Sequence, residues 1–408
     1  MIPTGPDSDR RRGRALRVAI VGYSFMGTIH AQAWTTAPRF FDLGDGVDLV
    51  AVSGRDAVAA RAFADRFDIG DVETDWRSLP NRGDIDVIDI CTPGHLHAEI
   101  AIAALDAGIH VLCEKPLANS VEEAERMAAA AERAAGYGVQ AMVGFSYRRT
   151  PALAYAKHLI DDGRLGIIRH IRAQYLQDWI VDPGFPLVWR LDAEQAGSGA
   201  LGDIGAHIID LTRFVTGHEL TGVSALSSTF VTERPLPTAS SGLSATADSG
   251  SGADEGRPMG HVTVDDAVVF IGRTDGGALA TFEATRFSSG RKNAMRLEVD
   301  GSLGSIAFDF ERLNELQFHD HTLPAEEAGF RRILVTEPGH PYAAAWWPAG
   351  HGLGYEHTFV HEVADLARDL IAGRAPEPGF ADGLVVQRIL AAVATSAAAD
   401  AAWTPIPH

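Results

Sequence analysis

The sequence predicts an α/β protein of two domains. The first is a doubly wound parallel sheet, and the second is an α+β domain on an open, mostly antiparallel sheet. Three observations carry this. Short apolar runs alternate with helix-period segments through the first 143 residues. From about residue 165 strand-like runs follow one another directly, and several alternate apolar with polar residues. At ~100–200 residues per domain, a chain of 408 residues holds two domains, or three.

In the first region the candidate strands are 17–22, 48–53, 85–91, 109–113 and 139–143. They are rich in Val and Ile with little polar alternation, as expected where helices cover both faces of a parallel sheet. Helical stretches lie between them near 26–36, 57–67, 95–107 and 120–135. Ser120 and Glu123 have the spacing of a capping box, and Gly108 suits the end of the helix before it. Strand and helix in strict alternation with short connections define a doubly wound domain, placed at 15–150. Residues 1–14 are polar, with Arg10, Arg11 and Arg12, and read as a disordered tail. The second domain, 151–408, has expected strands at 167–176, 223–231, 267–274, 278–285, 294–300, 305–310 and 315–319. Its expected helices are at 151–162, 203–216, 357–372 and 383–399. Residues 234–260 are rich in Ser, Gly, Ala and Pro without periodicity and read as an exposed, mobile loop.

A net charge of −19 disfavours nucleic acid, whose affinity comes mainly from basic side chains neutralising phosphates, and also disfavours anionic membranes. No apolar run approaches the ~20 residues of a membrane span. The two cysteines, Cys91 and Cys113, make no disulfide framework and fit a reducing cytoplasm, the expected location. Lys115, Lys157 and Lys292 are the only lysines among 35 basic residues. A buried lysine can shift its pKa into a working range where an arginine cannot, but from composition alone coding bias is the better explanation of the ratio.

The first strand ends in Gly22-Tyr23-Ser24-Phe25-Met26-Gly27, and a helix follows. In a dinucleotide fingerprint the first Gly makes the tight turn, the second lets backbone approach the pyrophosphate, and the third lets helix and strand pack closely. Ser24 replaces the second glycine, and its hydroxyl can itself bond a phosphate. The helix N-terminus then faces the diphosphate. At the end of the second strand an NAD site places an acid on the ribose, whereas an NADP site carries Arg nearby. The chain has Ser53, Gly54 and Arg55 there, a lean toward NADP over NAD, with Asp56 one position further on.

Cys113-Glu114-Lys115-Pro116 follows the strand at 109–113, so Lys115 lies at the C-terminal edge of the sheet, where such sheets bind ligands. Asp203 and His207, four apart on one expected helix, share a face. A carboxylate beside an imidazole fixes its tautomer and raises its basicity. The structural alternative is an Asp favoured by the helix dipole and a His satisfied in the core. No nearby third ligand completes a metal site, so none is expected.

The ordered set of the Gly22–Gly27 turn, Thr92-Pro93 with His95 and His97, Glu114-Lys115-Pro116, and Asp203 with His207 resembles the Gfo/Idh/MocA family of dinucleotide-dependent oxidoreductases, from Leu16 onward. The resemblance implies a Rossmann domain binding NAD or NADP through Gly22, Ser24, Phe25, Met26, Gly27, Ser53, Arg55, Thr92, Pro93, His97, Glu114 and Lys115. It implies that Lys115, Asp203 and His207 are catalytic. His207 then takes a hydroxyl proton, Asp203 orients it, and Lys115 bonds the reacting oxygen. It also implies a homodimer or homotetramer formed through the free face of the second sheet. Ser146–Pro151, Tyr175–Trp179, Trp189-Arg190 and Ala196–Asp203 are similar to the branch of the family that oxidises anhydrosugars, inositol-type polyols and glycosides. A sugar or cyclic polyol is therefore the expected substrate, with Tyr147, Arg149, Gln177 and Trp179 as ring contacts beside Asp203 and His207. Tyr175 reads as core. Two other classes keep the fold: a glycosidase using tightly held NAD, and a non-catalytic dinucleotide-sensing regulator.

Overall fold

The computed structural model describes residues 14–237 and 257–407. The chain divides into two compact units, one formed by the residues up to Ser146 with Glu356–Gln387, the other by Tyr147–Tyr355 with Arg388–His408.

The first unit holds strands β1 (Leu16–Val21), β2 (Val47–Ser53), β3 (Asp71–Glu73), β4 (Val87–Ile90), β5 (His110–Glu114) and β6 (Ala141–Gly144). They form one parallel sheet in the order β3-β2-β1-β4-β5-β6. The strand order reverses beside β1, so the switch point of a dinucleotide fold falls between β1 and β4. Helices α1 (Phe25–Phe40), α2 (Ala57–Arg66), α3 (His97–Asp106) and α4 (Val121–Ala135) make the crossovers. All residues of β4, β5 and β6 are buried, which is why they read as mostly apolar runs, with Asp89, His110 and Glu114 as the buried polar exceptions. The capping box forms, with Ser120 Oγ accepting from Glu123 N–H. Gly108 takes φ +79° just past α3. The short β3 was not expected, since three residues show no periodicity.

In the second unit helix α5 (Pro151–Asp161) precedes β7 (Ile168–Leu176), the one-turn α6 (Ala193–Ala196) and α7 (Ala206–Thr216). Strands β8 (Leu220–Ser228), β9 (Glu233–Pro235), β10 (Met259–His261), β11 (Ala267–Thr274), β12 (Leu279–Thr285), β13 (Ala294–Gly301), β14 (Gly304–Asp309), β15 (Glu315–Asp320) and β16 (Arg331–Leu334) follow. Helices α8 (Tyr355–Ala372) and α9 (Phe380–Ala398) and the terminal β17 (Thr404–Pro405) end the chain. The main sheet has nine strands in the order β16-β15-β14-β13-β7-β12-β11-β8-β17, antiparallel throughout except for the β7–β12 pair. Helices α5 and α7 pack on one face. On the other, Leu226, Val269, Ile271 and Leu279 are exposed.

Three expectations are corrected. The second domain is not continuous, because residues 356–387 group with the first unit. There Phe359 packs against His30 and His361 against Phe41, while Val143 N–H donates to the Pro378 carbonyl. The expected loop 234–260 is structured at its base. Arg234 pairs with Gly260 in the β9–β10 ladder, and its buried guanidinium donates to the Ile180, Asp182 and Phe185 carbonyls. Residues 238–256 and the tail up to residue 13 lie outside the described residues, but Arg14 donates to the Asp86 carboxylate at 3.2 Å. Finally, α9 is long and apolar enough to cross a membrane, yet half of its most apolar window is buried, as in a core helix.

Candidate functional site

At the switch point Gly22 has φ +107°, and a Cβ there would lie 2.8 Å from the Cys91 carbonyl oxygen. A Cβ on Gly27 would lie 2.0 Å from the Gly22 oxygen. Only glycine fits either position, and together they bring the first turn of α1 tightly against the end of β1. Ser24 is the N-cap of α1, exposed, and its hydroxyl makes no capping bond. Phe25 is 51 % exposed beside it, and Met26 is half-buried. The cradle and the uncapped helix start fit a diphosphate. Ser53 is buried at the end of β2, and its carbonyl accepts from Gly22 N–H at 2.9 Å. Arg55 and Asp56 are both exposed, but the Asp56 carboxylate is engaged as the cap of α2, accepting from Val58 and Ala59 N–H at 2.9 and 3.1 Å.

The loops after β4 and β5 are tied by His97. This buried ring contacts the Thr92 carbonyl at 2.9 Å through Nε2 and the Pro116 carbonyl at 3.1 Å through Nδ1. Burial pushes the His97 pKa below its usual value against the pull of these carbonyls. His97, expected among the cofactor contacts, thus shapes the loop that carries Thr92 and Pro93. Glu114 is likewise turned inward. It is buried, its Oε2 accepts from Lys115 N–H at 3.1 Å, and its Oε1 is 3.1 Å from His30 Nε2. Lys115 is half-buried at the exit of β5.

In the second unit Asp203 does not open an ordinary helix. Residues Leu201–Gly205 form a π-turn, and α7 starts at Ala206 with His207 in its first turn. Single π-turns recur at functional sites. This one is seated by Asp265, whose carboxylate accepts from Gly199 and Leu201 N–H at 2.7 and 2.8 Å. A Cβ on Gly199 would stand 1.7 Å from the Asp265 carbonyl oxygen, so glycine is required. The Asp203 carboxylate lies 3.7 Å from Nη1 of Arg286, a guanidinium with no exposure that also sits over the Trp179 ring, 5.5 Å from its centroid.

His207 is nearly buried and stacks on the Tyr147 ring, with centroids 4.4 Å apart. From Tyr147 a polar chain runs outward. The two tyrosine hydroxyls, of Tyr147 and Tyr175, are 2.7 Å apart, and Tyr175 donates to Asn293 Oδ1 at 2.7 Å. Tyr147 is therefore the donor to Tyr175. Gln177 donates to the same Asn293 oxygen at 2.8 Å, and Trp179 Nε1 donates to Gln177 Oε1 at 3.1 Å. The expected Tyr147, Gln177 and Trp179 are thus joined. Tyr175, read as core, is buried and also links them, and burial raises its pKa well above the ordinary phenol value. Arg149 is buried in the turn that carries Tyr147. Asp178 is turned to Lys292 Nζ at 2.8 Å, which holds its carboxyl below the usual range. Asp265, Arg286 and Asn293 escaped sequence reasoning. No local spacing marks them, because each acts across strands on a residue at least 60 positions away.

A six-stranded parallel sheet with a glycine cradle at its switch point, followed by a large mostly antiparallel sheet, defines a dinucleotide-dependent oxidoreductase of two-unit type. The chain belongs to the Gfo/Idh/MocA family: residues 16–145 match the oxidoreductase family's NAD-binding Rossmann fold, and 153–307 match the GFO/IDH/MocA C-terminal domain. Its cofactor is a nicotinamide dinucleotide. Levoglucosan dehydrogenase of Pseudarthrobacter phenanthrenivorans is 42 % identical over 96 % of this chain and 98 % of its own length. Inositol 2-dehydrogenase 4 of Saccharopolyspora erythraea is 33 % identical over 52 % of this chain and 57 % of its own. The structure of levoglucosan dehydrogenase in complex with NADH and levoglucosan matches with a TM-score of 0.88 at 40 % identity, covering 97 % of this chain and all of the other. An oxidoreductase domain protein from Kribbella flavida matches with a TM-score of 0.90 at 59 % identity, over 97 % of this chain and all of that one.

Proposed function

We propose that this oxidoreductase acts on a secondary ring hydroxyl of a sugar, anhydrosugar or cyclic polyol, with Lys115, Asp203 and His207 as its catalytic residues. The observation that carries the reading is the chain Tyr147–Tyr175–Asn293–Gln177–Trp179 leading away from His207. Its half-buried members Gln177, Trp179 and Asn293 supply amide groups for ring hydroxyls and an aromatic ring for a C–H surface in this reading, and the buried tyrosines behind them join this end to His207. Full-length similarity to levoglucosan dehydrogenase supports the same substrate class. When bound, the nicotinamide supplies the hydride acceptor or donor. His207 accepts the hydroxyl proton, its ring plane held by the Tyr147 stack. Asp203 stabilises the imidazolium that results. Lys115 donates to the oxygen as negative charge develops on it, and the reverse reduction uses the same groups. The role of Lys115 rests on the motif match.

Gly22, Ser24, Phe25, Met26 and Gly27 hold the diphosphate in this reading, and Thr92 and Pro93 border the nicotinamide end. In this reading Arg55 takes a 2′-phosphate, favouring NADP, because no acid stands at Ser53 or Gly54, while Asp56 caps α2 through Oδ1 alone. The chain forms a homodimer or homotetramer through the open face of its large sheet, in the cytoplasm.

The test is a panel of cyclic polyols, anhydrosugars and sugars followed by nicotinamide absorbance with each cofactor. Net reduction of the cofactor with a ring substrate is the expected result. Activity on aliphatic 2-hydroxy acids alone would overturn the reading. Glycoside cleavage without net reduction, or binding without turnover, would do so as well.

A further inference from the structure

Behind Lys115 the first unit buries a cluster that the proposed chemistry does not use. His30, on the inner face of α1, has no exposure, and neither does Asp89 of β4. His30 Nδ1 lies 2.9 and 3.0 Å from the two Asp89 carboxylate oxygens, and Nε2 lies 3.1 Å from Glu114 Oε1. Trp34, one turn along α1, donates from Nε1 to Asp89 Oδ2 at 2.7 Å. The remaining Glu114 oxygen accepts the Lys115 amide.

A neutral imidazole donates at one ring nitrogen only. Here both nitrogens face carboxylates, so with both carboxylates ionised only the imidazolium satisfies both contacts. One cation between two buried carboxylates also removes most of the repulsion they would otherwise exert on each other. We propose that His30 is a positioning residue: a buried imidazolium strut between Asp89 and Glu114 that fixes the Glu114 carboxylate and, through it, the backbone at Lys115. The inference deepens the catalytic reading of Lys115 and rests on it.

The surroundings agree. Burial is the largest single influence on His30 and would lower its pKa, but Asp89 and Cys91 together outweigh it and the net shift is well upward. Around the pair lie Cys91, with Sγ 3.6 Å from Asp89 Oδ1, the Trp34 indole on Asp89 Oδ2 and, from α8, the Phe359 ring at 5.5 Å from that of His30 between centroids. Burial pushes the Cys91 thiol up to about 12, so it keeps its proton at neutral pH. His30, Asp89 and Cys91 offer atoms within 4.8 Å of one another, as a metal site would. With both imidazole nitrogens engaged and the thiol protonated, the cluster reads instead as a closed charge network.

The test has two arms. In the first, the protein is labelled with 15N-histidine and His30 is assigned by comparison with His30→Gln. Both His30 ring nitrogens are expected to stay protonated well above pH 7, and a ring that is neutral at pH 7.5 overturns the strut. In Asp89→Asn, which keeps the shape and is the fallback if His30→Gln does not fold, the His30 pKa is expected to fall. The second arm is a double-mutant cycle read in kcat. His30→Gln, or Asp89→Asn, is expected to lower kcat about tenfold in the parent and by less than about twofold in a Lys115→Ala background, since residues acting through one another are not additive. Cofactor affinity by fluorescence is expected to hold within about threefold in the same variants. Equal losses in both backgrounds would mean that the cluster serves stability only. Near wild-type turnover of Lys115→Ala itself would overturn the catalytic reading instead, leaving the imidazolium to be judged by the first arm.

Discussion

The imidazole of His207 lies nearly flat on the ring of Tyr147, with centroids 4.4 Å apart and planes 20° from parallel. Phe310 packs at 4.6 Å against the same tyrosine, whose hydroxyl is anchored to Tyr175. In its proposed role as proton acceptor His207 must hold its ring plane while the proton moves, and the stack on Tyr147 supplies that restraint. An aromatic pair contributes ~0.5–1.5 kcal/mol beyond area burial, a rate factor of about 2 to 12 if it is lost only in the transition state. Tyr147→Leu is expected to lower kcat within that range. Tyr147→Phe, which keeps the stack and loses the hydroxyl, is expected to act mainly on the KM for the sugar. Steady-state kinetics on both variants decide it, and an unchanged kcat in Tyr147→Leu would mean that the stack orients nothing.

The turn that carries Tyr147 is clamped to α7 by the next residue. Arg148 donates from Nε to Asp210 Oδ2 at 2.8 Å and from Nη2 to Oδ1 at 2.5 Å, with both side chains buried. Asp210 follows His207 by three positions, so one bidentate pair sets both partners of the stack. Removing one partner of a buried pair leaves a charge uncompensated and costs ~3–5 kcal/mol. Asp210→Leu is expected to lower unfolding stability by that much in urea. The double variant Arg148→Met/Asp210→Leu is expected to recover a large part of it. If the double variant is as unstable as the sum of the singles, the pair is not coupled.

Much of the architecture was legible because its causes are local. Strands such as β4 and β6, buried on both faces, announce themselves as short, mostly apolar runs, whereas β11 alternates only in burial, because its exposed Val269 and Ile271 are as apolar as the buried Val268 and Phe270. The glycine cradle was legible because close backbone approach excludes side chains at Gly22 and Gly27. What escaped depends on register and distance. Asn293 enters the polar chain only because β13 pairs with β7, which places it beside Tyr175 and Gln177. Arg286 meets Asp203 only through the fold of the sheet, and the π-turn at 201–205 follows from Asp265, which lies 64 positions from Leu201. His30 and Asp89 are 59 apart, so their pairing leaves no mark on either local sequence.

Cofactor choice is expected to turn on Arg55. Asp56 accepts two amide hydrogen bonds at the start of α2, both on Oδ1, so its second oxygen is the competing ribose ligand. Arg55→Ala is expected to reduce kcat/KM for NADP while leaving that for NAD nearly unchanged. An unchanged NADP/NAD ratio would show that Arg55 points elsewhere. A wild-type preference for NAD that disappears in Asp56→Ala would assign the ribose to Asp56.

The open face of the large sheet combines an apolar patch with a charged margin. Val269 stands opposite Leu226 and Arg273 opposite Leu279, with Ile271 between them, and Leu226, Val269, Ile271 and Leu279 are each more than half exposed. Beside them Arg172 bonds Glu298 at 2.9 Å, and Gln174 bonds Glu283 at 2.9 Å. Contiguous apolar patches of this kind mark contacts between proteins. In the proposed assembly this face is covered by another copy of the chain. Val269→Glu with Ile271→Glu is expected to shift the mass in light scattering to that of a monomer. A wild type that is already monomeric at micromolar concentration would remove the proposal.

The catalytic assignment is tested most directly by three substitutions whose effects differ in cause. His207→Ala removes the proposed proton acceptor, and loss of a general base typically costs ~10²–10⁴-fold in rate. The fall is expected in kcat at neutral pH. Asp203→Asn keeps the shape of the side chain but removes the charge that stabilises imidazolium, so kcat is expected to fall in the same direction and by a smaller factor. Lys115→Arg keeps the charge, yet the guanidinium is bulkier, donates in a fixed fork and cannot give up its proton. It is expected to fail nearly as badly as Lys115→Ala. Neither His207→Ala nor Asp203→Asn touches the expected cofactor contacts, so both are expected to titrate cofactor by fluorescence with an affinity near that of the wild type, while Lys115→Arg, at a residue of that set, is judged by its kcat at saturating cofactor. Retained turnover in both His207→Ala and Lys115→Arg on the best ring substrate would place the catalytic centre elsewhere. Loss of cofactor binding along with turnover in His207→Ala and Asp203→Asn would show that these substitutions disturb the fold instead of the chemistry.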